Sequence, residues 1–128
     1  MLAARLVESG LPDNNLTQDH RIRKAKDFEQ VFQKGFKLIT PTLIFRILVN
    51  DGVNSRLGLA VPKKVGNAVI RNLVRRRIRE AFRLTKASFG TRIDIVVSPR
   101  RGIREKGFQE YLQSFEFLAK KTRMGFKR

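Results

Sequence analysis

The sequence predicts a single two-layer α/β domain, a short mixed sheet packed by helices. Two observations carry that prediction. The chain has 128 residues and is 41% hydrophobic, the size of one domain with one modest core. Helical and alternating hydrophobic periods follow one another in the order helix, strands, long helix, strand, helix, as expected for helices packed on a sheet. No internal repeat and no second domain is visible.

Residues 1–20 carry Gly10, Pro12, Asn14 and Asn15 and show no amphipathic period, so a poorly ordered leader is expected there. The domain is expected over 21–120, followed by a basic tail at 121–128. A short helix is read over 24–34. Phe28, Val31 and Phe32 fall at i, i+3 and i+4, and Gly35 suits its end. Each phenylalanine is either a core residue or a partly exposed ring with another use.

Residues 36–49 are rich in Thr, Ile, Leu, Phe and Val and read as strand. Pro41 interrupts the run and marks a turn, bulge or edge. Leu43, Phe45, Ile47 and Val49 alternate with Ile44, Arg46 and Leu48. Asn50-Asp51-Gly52 then signals a hairpin, with 56–61 as the returning strand. A long helix is expected over about 67–86, where nothing breaks the run. Residues 92–98 read as a buried strand, 99–104 as a basic loop and 105–119 as a closing helix.

Charge is the strongest signal. Lys and Arg number 28 against 11 Asp and Glu, a net charge of +17. The excess is uneven: residues 1–20 are net −2, whereas 56–86 hold ten basic residues and one acid, Glu80. A domain so charged is expected to bind a polyanion.

The long helix concentrates that charge. At 100° per residue, Ile70, Val74 and Ala81 define an apolar face, flanked by Leu73, Leu84 and Ile78. Arg75, Arg76, Arg79, Arg83 and Asn72 cluster opposite, with Arg71 at their edge. Arg71, Arg75, Arg79 and Arg83 recur every four residues, so each turn carries a guanidinium. Like charges at that spacing destabilise a helix by a few tenths of a kcal/mol per pair, which calls for an outside reason. A row of guanidinium groups fits a row of phosphates. Arg77 falls on the apolar side and is expected to snorkel or to pair with an acid. Lys63 and Lys64 add charge just before the helix. With Gly66 they form a plausible anion-binding corner, a weak signal by itself. Charge alone does not separate RNA from DNA. Ten phenylalanines suit stacking on single-stranded bases and favour RNA.

Catalytic equipment is sparse. There is no cysteine and one histidine, His20, inside the expected leader. Asp27 and Asp94 have no acidic sequence neighbour, although a fold could bring them close. General acid–base and metal-assisted chemistry need such groups assembled, so no protein-bound cofactor or metal is expected. The first residues lack the long apolar run of a secretory signal, and no segment is long and apolar enough for a membrane span. A cytoplasmic protein without a membrane partner is expected.

The segment RLGLAVPKKVGNAVIRNLVRRRIREAFR, residues 56–83, resembles the protein subunit of bacterial ribonuclease P. The motif residues are Lys63, Lys64, Gly66, Ala68, Val69, Arg71, Asn72, Arg75, Arg76, Arg79, Glu80, Phe82 and Arg83. Asp27, Phe28, Val31, Phe32 and Gly35 resemble the family's amino-terminal pattern, and Asp94–Val97 its following strand. The likeness covers about residues 21–120. One position departs: Leu73 stands where the family usually has Arg, and Arg77 is a candidate substitute.

The resemblance implies a subunit that is not catalytic alone, working beside a large catalytic RNA that removes the 5′ leader of precursor tRNA and holds the magnesium ions. It implies binding of the catalytic RNA by Lys63, Lys64, Arg71, Asn72, Arg75, Arg76, Arg79 and Arg83. It places the leader against Phe28 and Phe32, in a cleft between the first helix and the sheet. It also implies an unusual left-handed β-α-β crossover, against the general rule. No obligate protein partner is expected. The alternative is a ribosomal or ribosome-assembly RNA-binding protein, which shares this size, charge and build.

Overall fold

The computed structural model describes residues 20–125, so all but the last residue of the expected leader lies outside the described part. Among the described residues three α-helices and four strands form: α1 (Ala25–Lys34), β1 (Phe36–Ile39), β2 (Leu43–Val49), β3 (Arg56–Leu59), α2 (Ala68–Thr85), β4 (Ile93–Pro99) and α3 (Phe108–Met124). The strands make one mixed sheet in the order β1-β2-β4-β3. β1 and β4 run antiparallel to β2, and β3 runs parallel to β4.

This order corrects the hairpin expected at Asn50-Asp51-Gly52. β2 and β3 are not neighbours, because β4 lies between them. The physical reason is burial. Ile93, Ile95, Val96 and Val97 are all fully buried, so β4 is apolar on both faces and takes a central place. The hairpin forms one step earlier, between β1 and β2, with Pro41 in its turn. There Thr40 Oγ1 accepts from the Leu43 N–H at 3.0 Å. Asn50 and Gly52 do form a side-chain turn, the Gly52 N–H donating to Asn50 Oδ1 at 2.8 Å. That turn carries the chain across the end of β4, where the Asn50 N–H donates to the Arg92 carbonyl at 3.0 Å.

The main core lies on the face bearing Leu43, Phe45, Ile47, Leu57, Ile93, Ile95 and Val97, against Val74, Ile78, Ala81 and Phe82 of α2 and Tyr111, Phe115 and Leu118 of α3. Phe115 packs edge-on to Phe45 with ring centroids 5.1 Å apart. The opposite face is partly covered by α1. Val31 packs there with Ile22 and Val96, and Phe28, Leu48 and Ala60 surround them. The two expected layers are therefore joined by a partial third, because Val96 on the central strand needs cover on that side.

The ends of α3 differ from the expectation. A 3-10 turn at Ile103–Glu105 and Gly107 delay its start to Phe108. It runs on to Met124, so Lys120, Lys121 and Arg123 are helical. The extra turn is docked. The Gly90 N–H donates to Thr122 Oγ1 at 2.8 Å, and a Cβ on Gly90 would meet Arg123 Cα at 2.6 Å.

Candidate nucleic-acid interface

The cationic face of α2 forms because Asn67 starts the helix in register. Its Oδ1 accepts from the Ile70 N–H at 3.0 Å, satisfying one of the open donors of the first turn. Val74, Ile78, Ala81, Phe82 and Thr85 are the buried residues of α2. The packed face is therefore turned by about 60° from one centred on Ile70, and Leu84 is left exposed. Thr85 is turned inward with its hydroxyl donating to the Ala81 carbonyl at 2.8 Å.

Asn72 and Arg76 are fully on the exposed side, as are Lys63 and Lys64 in the 3-10 turn before the helix. Arg71, Arg75, Arg79 and Arg83 are half-buried. Their charges are not equally compensated. Arg75 Nη1 donates to the neutral Asn72 Oδ1 at 2.9 Å, which leaves its charge uncompensated. Arg83 instead forms a two-pronged pair with Glu80, at 3.0 and 2.6 Å. That pair raises the Arg83 pKa and neutralises much of its field. Lys86, one turn on, has its pKa lowered by burial and by Arg83. Arg77 takes neither acid nor solvent alone. Its Nη1 donates to the Lys106 carbonyl at 2.9 Å, and its guanidinium lies 5.7 Å from the centre of the Tyr111 ring. Leu73 is half-buried.

The second surface lies beside α1. Phe28 rests on Gly58 of β3; a Cβ there would meet the Phe28 ring at 2.7 Å. Phe28 is half-buried, whereas Phe32 is 45% exposed. One face of the Phe32 ring carries the Arg46 guanidinium, 4.8 Å from its centre. Cross-strand register sets Lys37 beside Arg46 and Val96, and Ile39 beside Ile44 and Ser98. The uncovered strip of sheet next to Phe32 thus offers apolar side chains between cations. Arg46 is legible in the sequence as a lone cation on the strand face opposite Phe45 and Ile47, but its pairing with Phe32 depends on the contact between α1 and β2.

Asp27 and Asp94 do come together, around a cation. Arg56 donates to both oxygens of Asp94, at 2.9 and 2.6 Å, and reaches Asp27 at 3.4 Å. Asn50 Nδ2 adds a bond to Asp94 at 2.8 Å. Both carboxylates are thereby occupied in tying β4 and β3 to α1. Among the described residues no group of three or more His, Cys, Asp or Glu side chains is placed to hold a metal. No described helix is long and apolar enough to cross a membrane. His20 is half-buried at the edge of the domain and has a partner, and the next residues pair with β3 through Arg21–Leu57.

The family model described as Ribonuclease P matches residues 16–123. The chain belongs to the ribonuclease P protein family. Its relatives include the ribonuclease P protein component of Shouchella clausii, 34% identical over 110 residues, which are 85% of this chain and 90% of that one. The component from Alkaliphilus metalliredigens is 32% identical over 109 residues, covering 85% and 98%. Among solved structures, the RNase P protein of Staphylococcus aureus superposes with a TM-score of 0.70 at 32% identity, over 79% of this chain and 93% of that one. The Thermotoga maritima RNase P protein gives 0.68 at 31% identity, over 84% and 98%. The mixed sheet with helices on its faces is therefore the architecture of the ribonuclease P protein family.

Proposed function

We propose that the two surfaces divide the work of a ribonucleoprotein: the α2 face holds a large RNA, and the strip beside α1 holds a single strand. As a member of the family, the chain is the protein subunit of the endonuclease that removes the 5′ leader of precursor tRNA. Its partners are the catalytic RNA and precursor tRNA, and it is not catalytic alone. In this reading Lys63, Lys64, Arg71, Asn72, Arg75, Arg76, Arg79 and Arg83 meet phosphates of the catalytic RNA, and Phe28 and Phe32 meet the leader. Magnesium belongs to the RNA, consistent with carboxylates spent on Arg56. The domain at 21–120 works in the cytoplasm, and its β3-α2-β4 crossover is left-handed as in the resembled family.

The observation that carries the reading is the pairing of Phe32 with Arg46. An exposed ring capped by a cation leaves its other face for a base, with a positive charge at hand for the adjacent phosphate. Sequencing of RNA co-purified with the tagged chain tests it. Catalytic RNA and precursor tRNA are expected. Recovery of ribosomal RNA in their place would establish the ribosomal alternative.

A further inference from the structure

A cavity of about 560 Å³ opens on the other flank of α1, away from Phe32. Arg21, Arg23, Lys24 and Arg56 line it together with Asp27 and the loop residues Asn50, Gly52, Val53 and Asn54. We infer that this cavity is an additional phosphate-binding site for RNA, separate from both surfaces described above.

Position on α1 sets the separation. Val31 is the helix's buried residue. At 100° per residue Phe28 and Phe32 follow it round on one flank, and Asp27 lies on the other. Charge favours an anion. Asp27, the one acid lining the cavity, is engaged by Arg56, and Asp94 occupies that same arginine from below. Arg21, Arg23 and Lys24 then remain without an acidic partner among the described residues. Arg21 supplies an independent sign. Its Nε is buried and makes no hydrogen bond among the described residues. A buried donor left unmet is costly; Arg21 lines the cavity, so a turn of its guanidinium would bring that donor to a phosphate oxygen there.

The segment is also held ready. The Ile22 N–H donates to the Leu57 carbonyl at 3.0 Å, and Arg21 bridges to Leu57, so the backbone of 21–22 is fixed along the outer edge of β3. The backbone at Arg21 therefore does not need to be ordered when the ligand arrives. A neighbouring hollow lined by His20, Asn54, Lys86 and Arg92 shares Val53 and Asn54 with the cavity. Basic groups thus continue from the end of α2 round the β3 edge to the start of α1, a path that a polyanion backbone can follow.

The inference rests on the RNA-binding reading, and its test keeps the two apart. Full-length chain carrying Arg23→Ala and Lys24→Ala, both exposed positions, is titrated at several salt concentrations with the catalytic RNA and, separately, with precursor tRNA in the assembled complex. The same measurements are made on Arg75→Ala/Arg79→Ala. With an unchanged melting temperature, the first variant is expected to bind more weakly by roughly tenfold, and its salt slope to fall by about 0.7–0.9 for each phosphate no longer neutralised. Weaker binding of catalytic RNA assigns the phosphate to that RNA, and weaker binding of precursor tRNA alone assigns it to the leader. The Arg21 Nε–H resonance, followed by NMR during titration with a 5′-phosphorylated oligonucleotide, should shift. If the Arg75/Arg79 variant loses affinity while the Arg23/Lys24 variant binds both RNAs as before and the Arg21 resonance stays fixed, the cavity is no phosphate site and the parent reading survives.

Discussion

Phe28 and Phe32 are four residues apart on one helix, yet they face different environments, and that difference gives a direct test. Phe32 is 45% exposed and tops the open strip of sheet, while Phe28 rests on Gly58. Phe32→Ala is expected to leave the melting temperature nearly unchanged. It should weaken precursor tRNA binding by ~1–3 kcal/mol, the usual range for a base–aromatic stack, and hardly alter mature tRNA, which has no leader. Equal losses for both ligands would make Phe32 a packing residue. Asp94 is the opposite case. It is 5% exposed and bound by Arg56 and Asn50, so Asp94→Asn should cost about 2 kcal/mol in denaturant melts, discounted from a fully buried pair because Arg56 is part exposed. Cleavage by the assembled complex, measured with saturating folded protein, should be retained. A folded Asp94→Asn chain whose complex cannot cleave would give this carboxylate a chemical role that its pairing with Arg56 argues against.

At the scale of elements, α2 carries the largest prediction. Arg75→Ala/Arg79→Ala should fold normally, since neither belongs to the packed face. It should lower affinity for catalytic RNA and flatten the salt dependence by about 0.7–0.9 per phosphate released. An unchanged slope in a folded double variant would remove the stripe from the interface. Arg83 should matter less than Arg75, because Glu80 holds it at 2.6 Å. Much of this was legible in the sequence. The four-residue recurrence of Arg marks the cationic side of α2, whose fully exposed members are Asn72 and Arg76, and alternation separates Phe45 and Ile47 from Arg46. What stayed hidden depended on long-range partners. Phe82 and Thr85 rotate the packed face, and local spacing does not show which flank the sheet will take. Asp-Gly at 51–52 is a true turn signal but does not say which strand comes next to β2; the all-apolar β4 decides that by occupying the middle. The last turn of α3 reads as polar, and only its docking on Gly90 explains why it stays helical. The Arg21 cavity needs α1, β3 and the loop after β2 at once, so no single stretch announces it.

For the whole molecule, net charge and the division of labour dominate. A chain of +17 can hold two RNAs together by screening their phosphates, an effect that matters most when few divalent ions do the same work. Its acids are scarce, and among the described residues Asp27 and Asp94, which meet inside the fold, are bound to Arg56. As a member of its family the protein is not catalytic alone; in the proposed division, water activation falls to the RNA and binding to the protein. The measurement that tests this most directly is 5′-end cleavage of precursor tRNA across a magnesium series, with catalytic RNA alone, nuclease-free protein alone and both together. The predicted result is no cleavage by protein alone at any magnesium concentration, and a stimulation of the RNA by protein that is greatest at low magnesium and shrinks as magnesium rises. Cleavage by the protein without RNA, or a magnesium requirement that folded protein leaves unchanged in the complex, would contradict it.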